Sequence, residues 1–175
     1  YFYAAPHKKQ AEIPRLGTLF ELDKQFDQVS WYGRGPHENY SDRQDSAYVG
    51  LYQSTVAELF VPYVRAQENG NRSDVRNVAF YNKQGQGIQF LGEPLIGFSA
   101  QFHSTDDYHA NATEVQTRNI HPHELPIKQR IFVNIDYLQR GVGGTNSWGA
   151  EPLSDYVIPY LDYQYSFSFK PYTHQ

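Results

Sequence analysis

The stretch "IGFSAQF" at residues 96–102 decides the fold class of this chain. Its apolar side chains occupy every second position, at Ile96, Phe98, Ala100 and Phe102. Because successive side chains of a strand point to opposite faces, this alternation predicts a strand with one buried face. The same alternation occurs in "LGTLFEL" at 16–22 and in "IFVNIDY" at 131–137. Several strands with one apolar face each are typical of an antiparallel sheet that is covered on one side.

Shorter β-like runs fill much of the remaining chain. They are predicted at 29–32, 47–52, 59–64, 75–81 and 88–91, and the turn "NKQGQG" at 82–87 joins the last two as a hairpin. A row of aromatic residues at 163, 165, 167 and 169 predicts a further strand. Only 105–115 predicts a helix, because two aspartates stand where they favour a helix N-terminus. The sequence therefore predicts an all-β antiparallel sandwich in a single domain, residues 1–175.

The composition fits this fold and narrows the class of ligand. Aromatic residues make up 16% of the chain, with 15 tyrosines and 11 phenylalanines. Such residues are frequent in β-sandwiches, where cross-strand pairing and core packing account for most of them. Aromatic faces also stack on sugar rings, so carbohydrate binding is a second interpretation of the same residues.

Charge and cysteine content exclude several functions. The net charge is -4 and the 15 basic residues form no block, which argues against nucleic acid as a partner. No apolar run is long enough for a membrane span, so we expect no membrane partner. The absence of cysteine excludes disulfides and thiol catalysis. The chain begins at Tyr1 without a methionine, and we expect a processed chain or a fragment.

The polar stretch "WYGRGPHENYSDR" at residues 31–43 predicts either a contact surface or a loop braced from within. We favour the braced loop, in which Arg34 and Arg43 pair with Glu38 or Asp42, since such networks are commoner than active sites. The residues that we expect to support this loop, or an interface beside it, are Arg34, His37 and Glu38.

The carboxyl groups and histidines of the chain allow catalytic or metal sites but do not require them. A glycosidase needs two carboxyls about 5 to 9.5 Å apart, and the sequence does not place any two of Glu38, Glu68 and Glu124 together. In "HPHEL" at 121–125 the two histidines could share a metal ion if they lie on a strand, but a third ligand is missing. A turn cap or a contact with a partner is therefore favoured, and no metal site is predicted. A histidine at 103 could act as a general base or simply bond to the backbone.

The glycine-rich stretch "GVGGTNSWGA" at 141–150 follows a predicted strand and ends near Trp148. Glycines permit positive φ angles and let the backbone pass close to another surface. Polar residues before the tryptophan, among them Asn146, can lock the turn through bonds to local amides. The loop therefore either presents Trp148 as one large flat side chain or tucks it back beneath the loop.

Four motifs together carry a resemblance to a known family. They are "VSWYGRGPHENYSDR" at 29–43, "VPYVRAQENGNRSDVR" at 61–76, "HPHEL" at 121–125 and "NIDYLQRGVGGTNSWGAEPLSDYVIP" at 134–159. In this order and spacing they resemble the C-terminal domain, or small chain, of bacterial β-galactosidases of glycoside hydrolase family 2. The resemblance covers residues 13–172. It leaves a cytoplasmic and a periplasmic location equally open.

This resemblance implies a galactose mutarotase-like supersandwich that closes over a catalytic TIM barrel. It implies that Trp148 stacks on the aglycone sugar of a galactoside, and that this is the chain's substrate-binding residue. The catalytic glutamates, and the Mg and Na ions that the family commonly uses, belong to other domains. We therefore expect no catalytic residue, metal ligand or cofactor in this chain, which should be inactive alone and have the barrel domain or large chain of the same enzyme as its partner.

The resemblance also implies that the first strands of the supersandwich are missing. We then expect open sheet edges, loss of cover over 96–102 and 163–169, an interrupted strand at Tyr1–Tyr3, and pairing with the rest of the enzyme or with a second copy. Two other functions stay open. One is a mutarotase-type aldose epimerase using His103 and Glu68, and the other is a stand-alone carbohydrate-binding module.

Overall fold

The computed structural model describes residues 12–109, 121–146 and 148–174, and these form seven antiparallel strands. The strands are β1 (Arg15–Asp23), β2 (Gln28–Gly35), β3 (Tyr48–Thr55), β4 (Arg72–Tyr81), β5 (Gln86–Gln101), β6 (Arg130–Gln139) and β7 (Ser166–Thr173). The helical segments are one α turn, α1 (Val56–Leu59), and 3-10 turns at Thr105–His109, Pro122–Glu124 and Ser154–Tyr156. The all-β antiparallel prediction is confirmed.

The long strand β5 gives the sheet its shape. The sheet order is β1-β6-β5-β4-β2-β3, and β7 also pairs with β5. The first half of β5 pairs with β7, from Gln86 to Glu93, whereas its second half pairs with β6 from Gly97 onwards. Phe20 of β1 nevertheless packs against Phe167 of β7, with ring centroids 6.0 Å apart. The branch made of β6 and β1 and the branch made of β7 therefore face each other across a shared core, as in a sandwich.

The core lies between these branches and is built from the alternating positions. Along β5 and β6 the buried apolar side chains are Phe90, Ile96, Phe98, Ala100, Ile131, Val133 and Ile135. Trp31 of β2 and Phe80 of β4 pack against Phe98, with ring centroids 5.7 and 6.1 Å from it. The expectation that 96–102 would lose its cover is therefore wrong, because β2 and β4 supply that cover.

Three other sequence predictions differ from the structure. The run 59–64 is not a strand: the chain turns through α1, because Thr55 and Glu58 form a capping box in which the Thr55 N–H donates to Glu58 at 3.0 Å. The runs 88–91 and 96–102 form one strand, β5, except that Phe102 lies beyond its end. The predicted helix at 105–115 is a 3-10 turn as far as residue 109, and 110–115 lie outside the described residues.

The described strands leave open edges. β1 and β3 lie at the two ends of the sheet order, and β7 has a single neighbour. Leu51 of edge strand β3 is 83% exposed and Phe169 of β7 is 59% exposed. Open edges were expected, and the row at 163–169 is only partly covered because Phe167 reaches the core. Residues 1–3 lie outside the described residues.

No helix within 12–109, 121–146 and 148–174 is long and apolar enough to cross a membrane.

Candidate functional site

The Trp148 loop (residues 140–146 and 148–151) begins where β6 ends and carries Trp148, whose exposed fraction is the highest among the large apolar side chains that the structure describes. Gly143, Gly144 and Gly149 all have positive φ angles, between 63° and 80°. At Gly143 a Cβ atom would also meet the carbonyl oxygen of Ala150 across the loop. Glycine is therefore required there, because the loop doubles back on itself more tightly than a side chain permits.

Asp42 anchors the base of the Trp148 loop. Its Oδ1 accepts the N–H of Val142 at 3.0 Å, and its Oδ2 accepts the N–H of Gly143 at 2.8 Å. The N–H of Gly141 donates to the carbonyl of Tyr156 at 2.9 Å. A carboxylate that holds two adjacent amides fixes both the position and the direction of the backbone. The loop is thus an ordered projection at its base.

Trp148 stands out from this base. The residue is 93% exposed, and its backbone N–H donates to Oδ1 of Asn146 at 2.8 Å. Of the two arrangements that the sequence left open, the structure has Trp148 exposed and not tucked beneath its own loop. Its contact with a sugar stays a prediction. The Asn146 bond is a local turn contact of the kind expected from a polar residue at this position.

Glu38 joins the stretches 31–43 and 62–76. Its Oε1 accepts from Arg43 Nη2 at 2.6 Å and from the Tyr63 hydroxyl, and its Oε2 accepts the N–H of Gly70 at 2.7 Å. The residue is only 9% exposed. The predicted pairing of Arg43 with Glu38 is therefore present, and it braces two loops against each other.

The side chains of Arg34 and His37 have other partners than Glu38. Arg34 Nε donates to Asp74 Oδ2 at 2.6 Å, and its Nη1 donates to the carbonyl of Ala47 at 2.9 Å. The predicted pairing of Arg34 with Glu38 or Asp42 is wrong, because Asp74 on the neighbouring strand β4 is the nearer carboxylate. His37 is exposed, with Nε2 3.1 Å from the Ser46 hydroxyl.

The burial of several polar residues in this region was not predicted, and Asn39 and Arg72 are two of them. Asn39 is fully buried and its Oδ1 accepts from both the N–H and the hydroxyl of Ser73. Arg72 is 3% exposed, lies 5.7 Å from the ring of Trp31 and donates to backbone carbonyls, including that of Gly70. Burial lowers the pKa of Arg72 to about 10. The surrounding carbonyls and ring, with Glu38 nearby, keep it charged at neutral pH.

The glutamates Glu38, Glu68 and Glu124 all accept hydrogen bonds from donors of the chain. Glu68 accepts from Arg15 at 2.8 Å and from the Tyr40 hydroxyl at 3.5 Å. Glu124 accepts the N–H of His121 in a 3-10 turn at 2.8 Å. With Glu38 held by three donors, Glu38 and Glu68 connect separate parts of the chain, whereas Glu124 stabilises its own turn.

The histidines are likewise engaged in local structure. His121 precedes a 3-10 turn and His123 lies within it, so neither lies on a strand, and their rings stack 5.8 Å apart. His103 is buried and its Nε2 lies 3.0 Å from the Tyr108 hydroxyl. Burial lowers the pKa of His103 to about 4, so the ring is neutral near pH 7. Within the described residues no three His, Asp or Glu side chains are grouped as a metal site requires.

Comparison with known proteins identifies the family. The family model described as "Beta galactosidase small chain" matches residues 3–170. The beta-galactosidase of Priestia megaterium is 38% identical over 169 residues, which is 95% of this chain and 16% of that protein. Those of Halalkalibacterium halodurans and Streptococcus thermophilus are 34% and 32% identical, over 84% and 91% of this chain and 14% and 15% of their own lengths. This chain therefore spans about a sixth of the relatives that it matches, and it belongs to the β-galactosidase small-chain family.

Proposed function

We propose that this chain is the accessory domain of a β-galactosidase, in which it covers the mouth of the catalytic barrel and places Trp148 against the aglycone sugar of the substrate. The whole enzyme hydrolyses terminal β-D-galactosides, and this chain alone does not. The catalytic glutamates and the Mg and Na sites lie in the remainder of the enzyme. The observation that carries the proposal is the 93% exposure of Trp148 on an anchored loop.

The chemistry of Trp148 supports this role. An indole left in water forgoes the burial of a large apolar surface, so an ordered loop that exposes one is typical of a binding contact. A sugar stacked on an aromatic face gains on the order of 1 kcal/mol, which is enough to change affinity without changing chemistry. The anchoring by Asp42 also favours binding, because a ring that is already held in place loses little conformational entropy when it binds.

Replacing Asp42 with alanine is expected to weaken the contribution of Trp148 without removing it. The N–H groups of Val142 and Gly143 would lose their acceptor, so the loop would sample other positions. In the whole enzyme we expect KM for lactose to rise about 3- to 10-fold with a smaller change in kcat, as for a loss of about 1 kcal/mol of binding. Asp45, exposed in the same segment, provides the control substitution Asp45→Ala, which should leave KM unchanged. An Asp42→Ala enzyme with wild-type KM would show that the anchor is dispensable.

Two other functions remain as outcomes of a direct test. A mutarotase-type epimerase needs a histidine and a carboxylate facing a sugar, but His103 contacts Tyr108 and Glu68 contacts Arg15. A stand-alone binding module needs a platform of exposed aromatics. Three assays on the 175-residue chain separate these functions: o-nitrophenyl-galactoside hydrolysis, galactose mutarotation and lactose binding. The accessory-domain proposal predicts no hydrolysis and no mutarotation, with hydrolysis appearing only when the remainder of the enzyme is added.

The partners follow from the same proposal. The barrel domain or large chain is the main one, and the open edges at β1 and β3 offer surfaces to it or to a second copy of the chain. Neither nucleic acid nor a membrane is proposed as a partner.

A further inference from the structure

A cavity that no residue of the Trp148 loop lines is found where β5 and β7 meet. It has a volume of about 700 Å³ and is lined by Thr18, Glu93, Pro94, Tyr137, Gln164, Tyr165, Ser166 and Phe167. Binding sites for small molecules commonly range from about 300 to 1,000 Å³. No residue of the Trp148 loop lines this cavity, so the proposed function does not account for it.

Aromatic rings form one side of the cavity. The rings of Tyr137 and Tyr165 stack 5.4 Å apart at an interplanar angle of 10°, and Tyr165 stacks on Phe167 at 5.9 Å. Tyr165 is held from the other side, because its hydroxyl lies 2.8 Å from the Thr18 hydroxyl. Tyr137 also contacts the ring of Tyr163, with centroids 6.5 Å apart at an interplanar angle of 65°, and 38% of Tyr137 is exposed. The cavity thus offers a flat aromatic surface whose position is fixed by the rings behind it.

The rim of the cavity determines the charge of its ligand. The lining residues include one carboxylate, that of Glu93, and no lysine, arginine or histidine. Glu93 is exposed and its Oε2 accepts from the Ser166 hydroxyl at 3.2 Å, which fixes its direction. A phosphate or another anion would therefore be repelled. A carboxylate and the amide of Gln164 beside an aromatic ring are suited to a neutral molecule with several hydroxyl groups and an apolar C–H face.

We infer that this cavity is a saccharide site separate from Trp148, in which a neutral mono- or disaccharide stacks on Tyr137 and donates hydroxyl hydrogen bonds to Glu93. Gln164, which lies just before β7, contributes a second polar contact. This inference goes beyond the proposed function and does not depend on it, because none of its residues takes part in the Trp148 contact.

The test uses the 175-residue chain carrying Trp148→Ala, so that binding at the proposed aglycone contact is removed. Galactose, glucose and lactose are titrated and followed by saturation-transfer and amide-shift NMR. We expect a dissociation constant on the order of 1 to 10 mM for at least one of them. Tyr137→Ala should weaken that binding about 5-fold or more, since an aromatic contact typically contributes a factor of this size. Glu93→Gln should weaken it by a smaller factor, and Tyr137→Phe should leave it nearly unchanged.

Tyr32 provides the matched control, because it is 41% exposed on β2 and lies outside the cavity. Tyr32→Ala should bind as the parent does. If Tyr137→Ala does not fold, Glu93→Ala and Gln164→Ala still decide the matter, since both side chains are exposed. The inference is overturned if no saccharide shows saturation transfer, or if binding is the same in the Tyr137 or Glu93 and Gln164 variants as in the parent. Either result leaves the role of Trp148 untouched, because Trp148 is absent from every protein in the test.

Discussion

Replacing Asp136 with asparagine is expected to raise the free energy of unfolding at pH 8 by roughly 3 kcal/mol. Asp136 is 1% exposed, and neither of its carboxylate oxygens has a hydrogen-bond partner. Its nearest cation is Arg15, whose Nε lies 3.3 Å from Oδ2 and already donates to Gln139. Burial raises the pKa of Asp136 to about 7, against the partial compensation from Arg15.

The sign of the pH dependence follows from that shift. A carboxyl with a raised pKa binds its proton more tightly in the folded chain than in the unfolded chain. The stability associated with the protonated Asp136 is therefore present below about pH 4 and is lost as the pH rises to about 7. Asparagine keeps the shape and carries no charge, so its variant should not show this loss. His103 has the opposite effect, because its lowered pKa destabilises the fold as the pH falls from 6.5 towards 4.

Urea denaturation between pH 4 and pH 8 measures this directly. The wild-type chain should lose stability as Asp136 ionises, whereas the profile of Asp136→Asn should lack that loss and keep only the contributions of the other buried groups, among them His103 and Glu68. Asp45→Asn, at an exposed site, removes the same charge and should leave the profile of the parent. If Asp136→Asn is less stable than the parent at pH 8, the ion pair with Arg15 is a net source of stability and the account of Asp136 is wrong.

Replacing Glu38 with alanine is expected to lower the free energy of unfolding by about 3 kcal/mol, and the melting temperature by roughly 10 °C. The substitution would leave the buried N–H of Gly70 without an acceptor and would remove the partner of Arg43. Arg72, which is buried nearby, would lose the carboxylate that favours its charged form. Thermal unfolding monitored by circular dichroism gives the value.

Glu21 offers the comparison for Glu38. Its pair with Arg130 spans 3.5 Å and both side chains are about half exposed, so Glu21→Ala should cost under about 0.5 kcal/mol. Arg34→Ala should fall between the two, because the pair with Asp74 is only partly buried. A Glu38→Ala chain with the melting temperature of the parent, together with loss of turnover in the whole enzyme, would mean that Glu38 acts in chemistry and not in bracing.

The strands were predictable where alternation was strict. The patterns at 16–22 and 131–137 correspond to β1 and β6, since one face of each strand packs on the core. The continuity of β5 was not predictable, because Pro94 interrupts the pattern and proline usually ends a strand. The turn α1 was missed although "TVAE" at 55–58 carries a capping box, a signal that a search for β-like runs overlooks.

The residues of the candidate site were predictable from the sequence, but their hydrogen-bond partners and their burial were not. Glycines before a tryptophan indicated a thin loop, and Trp148 is exposed on it. The role of Asp42 was assigned wrongly. Its carboxylate oxygens accept backbone N–H groups about a hundred residues away in the sequence, and no local sequence pattern indicates such a partner. The burial of Asn39 and Asp136 had no signal in the sequence, since polar residues are usually exposed and only the fold determines which are enclosed.

The most direct test of the central claim is the partition of galactosyl transfer between glucose and water in the whole enzyme carrying Trp148→Phe. If Trp148 stacks on the aglycone sugar, the smaller ring should lower the ratio of transfer to hydrolysis about 3- to 10-fold at fixed glucose concentration. The rate of galactosyl-enzyme formation from o-nitrophenyl-galactoside should change less than this ratio does. An unchanged KM for lactose together with an unchanged transfer ratio would contradict the claim and show that Trp148 contacts no sugar.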